Sequence, residues 1–227
     1  MKAIAFVAAA ATALIATSAF AADLPAPPAP DQVMTSGWDG FYIGVNAGAG
    51  TSHRTGSSTI IGFPAGTWDY NLTGGMIGAQ AGFNYALTDN FVVGVEVSGD
   101  AANITGNDQT AANIGGGNGT YNWLAMATAK VGYATDKFMV YVDGGYSLAN
   151  FNFNGSLGCN FSETDSGPTV GVGAAVKLTD NVSADLSYNH VWYGGVTSSC
   201  STFGAPVTVT NNPPTADIVK LGVNYRF

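Results

Sequence analysis

The sequence predicts an all-β fold, an eight-stranded antiparallel up-and-down transmembrane β-barrel. Three observations carry that prediction. An export leader opens the chain, segments of strict apolar–polar alternation fill the rest, and the joints between them are alternately short and long. Val219–Phe227 shows the alternation most plainly: Val219, Leu221, Val223, Tyr225 and Phe227 share one face, and Lys220, Gly222, Asn224 and Arg226 the other. A strand that runs to the last residue and ends on an aromatic suits the closing strand of a barrel, because the free termini of soluble domains tend to fray.

Met1-Lys2, the apolar run Ala3 to Ala16 and Ala19-Phe20-Ala21 make a basic start, a short apolar core and a small-residue cleavage site. Residues 1–21 therefore read as a signal peptide. The run is too short and Ala-rich for a membrane helix, which needs about 20 apolar residues. Residues 22–37 hold Pro25, Pro27, Pro28 and Pro30 without alternation and read as an extended periplasmic linker, leaving 38–227 for the barrel.

The first strand is expected over Trp38 to Gly50, with Phe41, Ile43, Val45, Ala47 and Ala49 on one face. Ile77, Ala79, Ala81, Phe83 and Tyr85 mark the second, Gly74 to Ala86. The third runs from Phe91 to Asp100, the fourth from Tyr121 to Tyr133, the fifth from Phe138 to Asn150. The sixth spans Pro168 to Leu178 and the seventh Val182 to Tyr193. Leu87-Thr88-Asp89-Asn90, Ala134-Thr135-Asp136-Lys137 and Leu178-Thr179-Asp180-Asn181 are tight turns, with Asp and Asn as the turn chemistry. The remaining joints, such as 51–73, read as long loops. Short turns on one side and long loops on the other match outer-membrane barrels, with turns periplasmic and loops extracellular.

The charges decide which face meets lipid. The apolar parity carries none, whereas the other carries Glu96, Lys130, Asp143, Lys177, Asp185, Lys220 and Arg226 among many glycines. Lys or Arg against lipid at midplane costs about 2–4 kcal/mol. The apolar face is therefore expected outside and the charged, small-residue face in a narrow lumen. Phe83, Tyr85, Phe91, Tyr133, Phe138, Tyr225 and Phe227 gather near the tight turns as an interfacial girdle. Buried charges need partners, so Glu96, Lys130, Asp143, Asp185 and Lys220 are expected to form ion pairs that fill the lumen.

Removal of Lys2 leaves six Lys+Arg against fifteen Asp+Glu, 6 − 15 = −9. So acidic a chain lacks the cations for nucleic-acid binding. Cys159 and Cys200 fall in the third and fourth long loops and are expected to form a disulfide; neither has metal-site spacing, and no cofactor is expected. His53, beside Ser52, Ser57 and Ser58 and upstream of Asp69, is a weak candidate for hydrolytic chemistry. His190, near Trp192 and Tyr193, is better placed in an interfacial aromatic cluster.

Ala22-Asp23-Leu24-Pro25, Trp38-Asp39-Gly40-Phe41-Tyr42-Ile43-Gly44, Lys130-Val131-Gly132-Tyr133-Ala134 and Val223-Asn224-Tyr225-Arg226-Phe227 resemble the alphaproteobacterial outer-membrane surface-antigen family, the 25/31 kDa immunogenic proteins. The resemblance covers nearly all of the mature chain. It implies a surface-exposed barrel of the porin-like kind with no catalytic residues to carry over. It also implies that the barrel-assembly machinery reads the terminal strand at Val219, Leu221, Val223, Tyr225 and Phe227. Outer-membrane lipids and lipopolysaccharide are the expected surroundings, and loop-bound host or surface ligands the further partners. A structural role ranks first, ahead of a narrow porin and of a loop-borne adhesin or enzyme.

Overall fold

The computed structural model describes residues 37–60, 64–108, 116–202 and 204–227. The predicted leader, and the Pro-rich segment as far as residue 36, lie outside the described residues. Among the described residues the regular elements are all strands: β1 (Gly40–Ile60), β2 (Gly66–Ala86), β3 (Phe91–Asp108), β4 (Gly117–Ala134), β5 (Phe138–Gly155), β6 (Asn160–Lys177), β7 (Val182–Trp192), β8 (Val196–Thr202), β9 (Ala205–Asn211) and β10 (Thr215–Arg226). They form one sheet ordered β10-β7-β6-β5-β4-β3-β2-β1-β9-β8, and β10 also pairs with β1. Eight strands thus close a ring, with the β8–β9 hairpin attached beside it.

The predicted sides are the observed ones. Val45, Val95, Val142, Val172, Leu221 and Phe227 lie on the outer wall, while Lys130, Asp185 and Lys220 are buried inside. In water, each large apolar side chain left outside would forfeit about 1.5–3 kcal/mol of burial; against hydrocarbon it forfeits nothing. On β10 the apolar run Val219–Phe227 has about the 9–11 residues that a tilted strand needs to cross a bilayer. Near the turns Tyr85, Phe91, Tyr133, Phe138 and Tyr225 point outward. Phe91 and Tyr133 meet edge to face with centroids 5.7 Å apart.

Threonine rather than Asp closes the tight turns. The Thr88, Thr135 and Thr179 hydroxyls accept from the Phe91, Phe138 and Val182 amides at 3.1, 3.2 and 3.0 Å. Asn90 and Asn181 then tie turn to neighbour, donating to the carbonyls of Ala134 at 2.9 Å and Arg226 at 2.8 Å.

The first strand begins later than expected. Gly37 and Gly40 hold left-handed φ values of 64° and 105°, which only glycine adopts without strain. The chain between them folds under the ring. Trp38 is fully buried there, donates from Nε1 to the Thr135 carbonyl at 2.7 Å, and lies beneath the Arg226 guanidinium. It stoppers the turn end instead of starting a strand.

The larger correction concerns the long loops. Most of 51–73 and much of 101–120 continue β1 to β4 as strand, and β5 and β6 are longer than expected in the same way. Parity is kept along β2, but its meaning reverses. Lower on the strand the inward residues are polar, such as Gln80 and Asn84; higher up they are Trp68, Tyr70 and Leu72. The outward residues change from Ile77 and Tyr85 to Thr67, Asp69 and Asn71. A soluble-type β-barrel with an apolar interior therefore stands on the membrane ring. In β4 a bulge between Tyr121 and Trp123 also shifts the parity and turns Tyr121 inward.

The fourth loop is the β8–β9 hairpin, which replaces β7 and β10 in the upper wall. β9 takes over β1 from Gly56↔Asn211, above the last β10 pair His53↔Thr215. β8 faces β6 without a backbone ladder. The seam is held by the Cys159–Cys200 disulfide, Cα atoms 5.1 Å apart, and by Ser198 Oγ donating to Glu163 Oε2 at 2.9 Å. Pro168, which lacks an N–H, sits one residue beyond the last β6–β7 pair, Thr169↔Val191, where the ladder ends.

A disulfide closing 41 residues of chain should stabilise by about 3–4 kcal/mol. In a C159S/C200S variant, hydrogen exchange in β8 and β9 should accelerate by at least a hundredfold, while exchange in Val219–Phe227 stays slow. Equal acceleration in both regions would show that the seam does not hold the hairpin separately.

Candidate functional site

The alternation of each strand delivers its polar residues to the lumen, where they gather in several adjacent hydrogen-bonded groups. Lys130 Nζ lies 3.0 Å from Glu96 Oε2, which also accepts from the Tyr42 hydroxyl at 2.6 Å. Lys220 reaches across to Ser98 Oγ at 2.9 Å and to Asp100 Oδ2 at 3.7 Å. Asn46, Gln80 and Asn224 extend the chain of hydrogen bonds at 3.1 and 2.8 Å. Gly82 and Gly173 are required by this crowding, since a Cβ at either would meet the Tyr42 or Tyr141 ring.

Ion pairing is less regular than the sequence alone implies. Lys130 and Asp143 are register partners, yet the ammonium goes to Glu96. Asp143 instead accepts from Asn189 Nδ2 at 2.7 Å, and Asp185 from the Tyr141 hydroxyl at 2.8 and 3.0 Å. The cavity between Glu96, Lys130, Tyr141, Asp143, Asn189 and Lys220 measures ≈ 10 Å³, about the space one water needs.

A second cluster lies in the upper barrel, among residues whose sequence reads as loop. Arg54 is 1% exposed and donates to Asp165 Oδ2 at 2.7 Å and Glu163 Oε1 at 2.5 Å. Its guanidinium carbon lies 3.6 Å from the Phe151 ring centroid, and Tyr121 donates to Asp165 Oδ2 at 2.7 Å. Glu163 also accepts from Ser198 and from Asn211 Nδ2 at 3.2 Å, linking β1 and β6 to the hairpin. Extension of the lumenal parity of Tyr42 and Asn46 would have placed Arg54 inside. The triad carries 1 − 2 = −1, and burial pushes the Glu163 carboxyl above the usual range against the pull of Arg54.

The histidines face outward above the apolar band. His53 Nε2 lies 2.7 Å from Asp69 Oδ1, but neighbouring Ser52 points inward and donates to the Thr215 carbonyl. His190 Nδ1 lies 2.7 Å from Asp217 Oδ1, and its ring meets Trp192 edge-on at 4.5 Å. Hydrogen bonds from His190 and Tyr188 hold the Asp217 carboxyl below its usual range. No serine hydroxyl among the described residues hydrogen-bonds to the side chains of either dyad. Among the described residues, no three His, Cys, Asp or Glu side chains gather as a metal site.

The terminal residues Val219, Leu221, Val223, Tyr225 and Phe227 all lie on the outer wall. They close the ring through pairs such as Ile43↔Tyr225 and Val45↔Val223.

Three comparisons place the chain among known proteins. Residues 7–227 match the family model described as outer membrane protein beta-barrel domain. The 31 kDa outer-membrane immunogenic protein of Brucella melitensis is 29% identical over 234 residues, covering 95% of this chain and 96% of the relative. The 25 kDa outer-membrane immunogenic protein of Brucella abortus is 31% identical over 215 residues, covering 92% and 91%. Among solved structures, the outer membrane protein OprG of Pseudomonas aeruginosa is similar in fold, with a TM-score of 0.59 at 13% identity over 85% of this chain and 100% of that one.

The raised Glu163 pKa favours its protonated form in the fold. The upper barrel should therefore lose stability as pH rises from the usual carboxyl value of about 4.3 through the raised one. Hydrogen-exchange protection in β8–β9, corrected for the intrinsic pH dependence of amide exchange, should be greater at the acid end of that window than at neutral pH, and E163Q should flatten the difference. An unchanged pH profile in E163Q would exclude Glu163 as the titrating group.

Proposed function

Because the chain belongs to the outer membrane protein beta-barrel family, we propose that it serves the bacterial envelope as a closed, non-catalytic barrel whose upper storey is a contact surface. Residues 1–21 act as the leader, 22–37 as the periplasmic linker and 38–227 as the barrel. The tight turns face the periplasm and the upper barrel the exterior. Outer-membrane lipids and lipopolysaccharide surround the wall, nucleic acid is no partner, and any host or surface ligand meets the upper storey.

One observation favours a structural role over conduction. The lumen is filled three times along its axis: by Trp38 at the turn end, by the polar network in the middle, and by the Leu72–Tyr121–Phe151–Tyr193 core above. An eight-stranded ring is only just wide enough for such side chains, and the mid-lumen void of ≈ 10 Å³ leaves no room for a solute.

Planar-bilayer recordings of purified protein should show no steady channel; stable openings of one conductance would overturn the structural role in favour of a porin. The outward comb ending in Phe227 supports recognition of the last strand by the assembly machinery. Deletion of Phe227 should reduce the amount of heat-modifiable protein in outer membranes several-fold, and an unchanged amount would remove the terminal residue from that signal.

A further inference from the structure

The outer walls of the upper barrel differ between its two sides. The β2–β1–β10–β7 side carries the His–Asp dyads. Across β3–β4–β5–β6 the outward side chains form uncharged cross-strand rows. One row is Asn107↔Asn118, Asn118↔Asn154 and Asn154↔Asn160. The row below it is Thr105↔Thr120, Thr120↔Asn152 and Asn152↔Ser162. Phe153 between the rows, and Phe151 and Glu163 just below them, point inward, so the rows lie on one face.

Three properties of this grid point to a ligand class. Asparagine is depleted in strands, yet here it occupies outward positions of β4 and β5, which are paired on both sides at this level, where threonine or charged residues would wet the wall as well. The carboxamides are unspent: Asn150 donates to Ser162 Oγ and to the Glu163 carbonyl at 3.3 Å each, whereas Asn118, Asn152 and Asn154 make no side-chain hydrogen bond to a described residue. Each carboxamide both donates and accepts, as does each hydroxyl. With strands about 4.8 Å apart and same-face residues about 6.7 Å apart, the face presents an array of donors and acceptors close enough for one saccharide chain to meet several of them. It has no charge for a phosphate or carboxylate and no aromatic patch for an apolar partner. At its upper edge Asn107, Gly117, Asn118, Asn154, Gly155 and Ser156 line a shallow, open depression.

Position supplies the occupant. Trp123 points outward just below the grid, at the level of Asn150, and Tyr146 lies lower on the same wall; such residues gather at membrane interfaces. Whatever headgroup the surrounding lipid carries lies against the wall directly above them. We propose that the β3–β6 face of the upper barrel binds the neutral saccharide chain of the glycolipids around it, through the carboxamides of Asn118, Asn152 and Asn154. This inference rests on the exterior orientation of the upper barrel proposed above.

The test uses full-length mature barrel, wild type and N118V/N152V/N154V, both checked for heat-modifiable folding. Retention is measured on immobilised lipopolysaccharide with a complete core and on lipid A alone. The variant should retain complete-core lipopolysaccharide about tenfold or more weakly, through the lost hydrogen bonds, with lipid A retention unchanged. Equal complete-core retention by the two proteins, or an equal loss on lipid A, would overturn the proposal. Should the triple variant fail to fold, wild-type protein in micelles is titrated with dephosphorylated core oligosaccharide. The side-chain amide NMR signals of Asn118, Asn152 and Asn154 should shift while the His53 ring signals stay; no shift overturns it. An N154C protein labelled on intact cells with an impermeant maleimide separates the two claims. No labelling overturns the orientation and this inference with it, whereas labelling with unaltered glycolipid retention overturns this inference alone.

Discussion

A wall in hydrocarbon can leave no backbone N–H or C=O unpaired, because nothing there replaces water as a partner. The β1–β10 ladder meets that demand by closing the ring from Tyr42↔Arg226 to His53↔Thr215. Once the ring is closed, each strand has only two sides, and alternation sends Val, Leu and Phe to lipid and Lys, Asp and Asn to the lumen. The lumenal ions follow from that placement. Lys130 is buried, and it is tolerable because Glu96 and two aromatic rings, Tyr42 and Tyr141, surround it. Above the bilayer the constraint relaxes. There water satisfies open edges, and β6 and β8 can face each other across a seam joined by a disulfide and side chains.

The parts of the fold legible in the sequence are those where the outside is lipid. The membrane halves of the strands, the three turns, the side assignment and the cysteine partners could all be read from alternation and spacing. The upper halves were hidden by a reversal of phase. Trp68, Tyr70 and Leu72 continue the inward parity of Gln80 and Asn84, but inward has become the apolar side. An observer following apolar residues sees the pattern break and infers a loop, although the backbone ladder runs on to Ser58↔Gly66. The bulge beside Asn122 breaks parity outright. β8 is short and rich in Ser and Thr, with little pattern to read. Trp38 reads as strand because it stands two residues before β1, and only the paired positive-φ glycines reveal that the chain turns inward there.

The reversal also explains which polar residues sequence reasoning missed. Arg54, Glu163 and Asp165 stand in segments that composition marks as polar and solvated, yet the upper interior buries them among Phe151, Tyr121 and Tyr193. They form the one ionic cluster described within that apolar storey, and through Ser198 and Asn211 they bind the replacement hairpin to the ring. The neutral Asn grid on the outside is the complement of the same arrangement. Where lipid ends, outward residues must suit a polar surrounding, and the two flanks do so with different chemistry.

The central claim is that parity persists along each strand while its surroundings exchange, lipid for water outside and polar for apolar inside. Single-cysteine nitroxide labels along β5 at Val140, Val142, Tyr146, Asn152 and Asn154, in reconstituted bilayers, test it directly by comparing relaxation by oxygen with relaxation by a water-soluble nickel chelate. The first three labels should be dominated by oxygen and the last two by the chelate, the change falling between Leu148 and Asn152. Oxygen-dominated labels throughout, or chelate-dominated labels at Val140 and Val142, would contradict a wall that is lipid-facing below that level and water-facing above it.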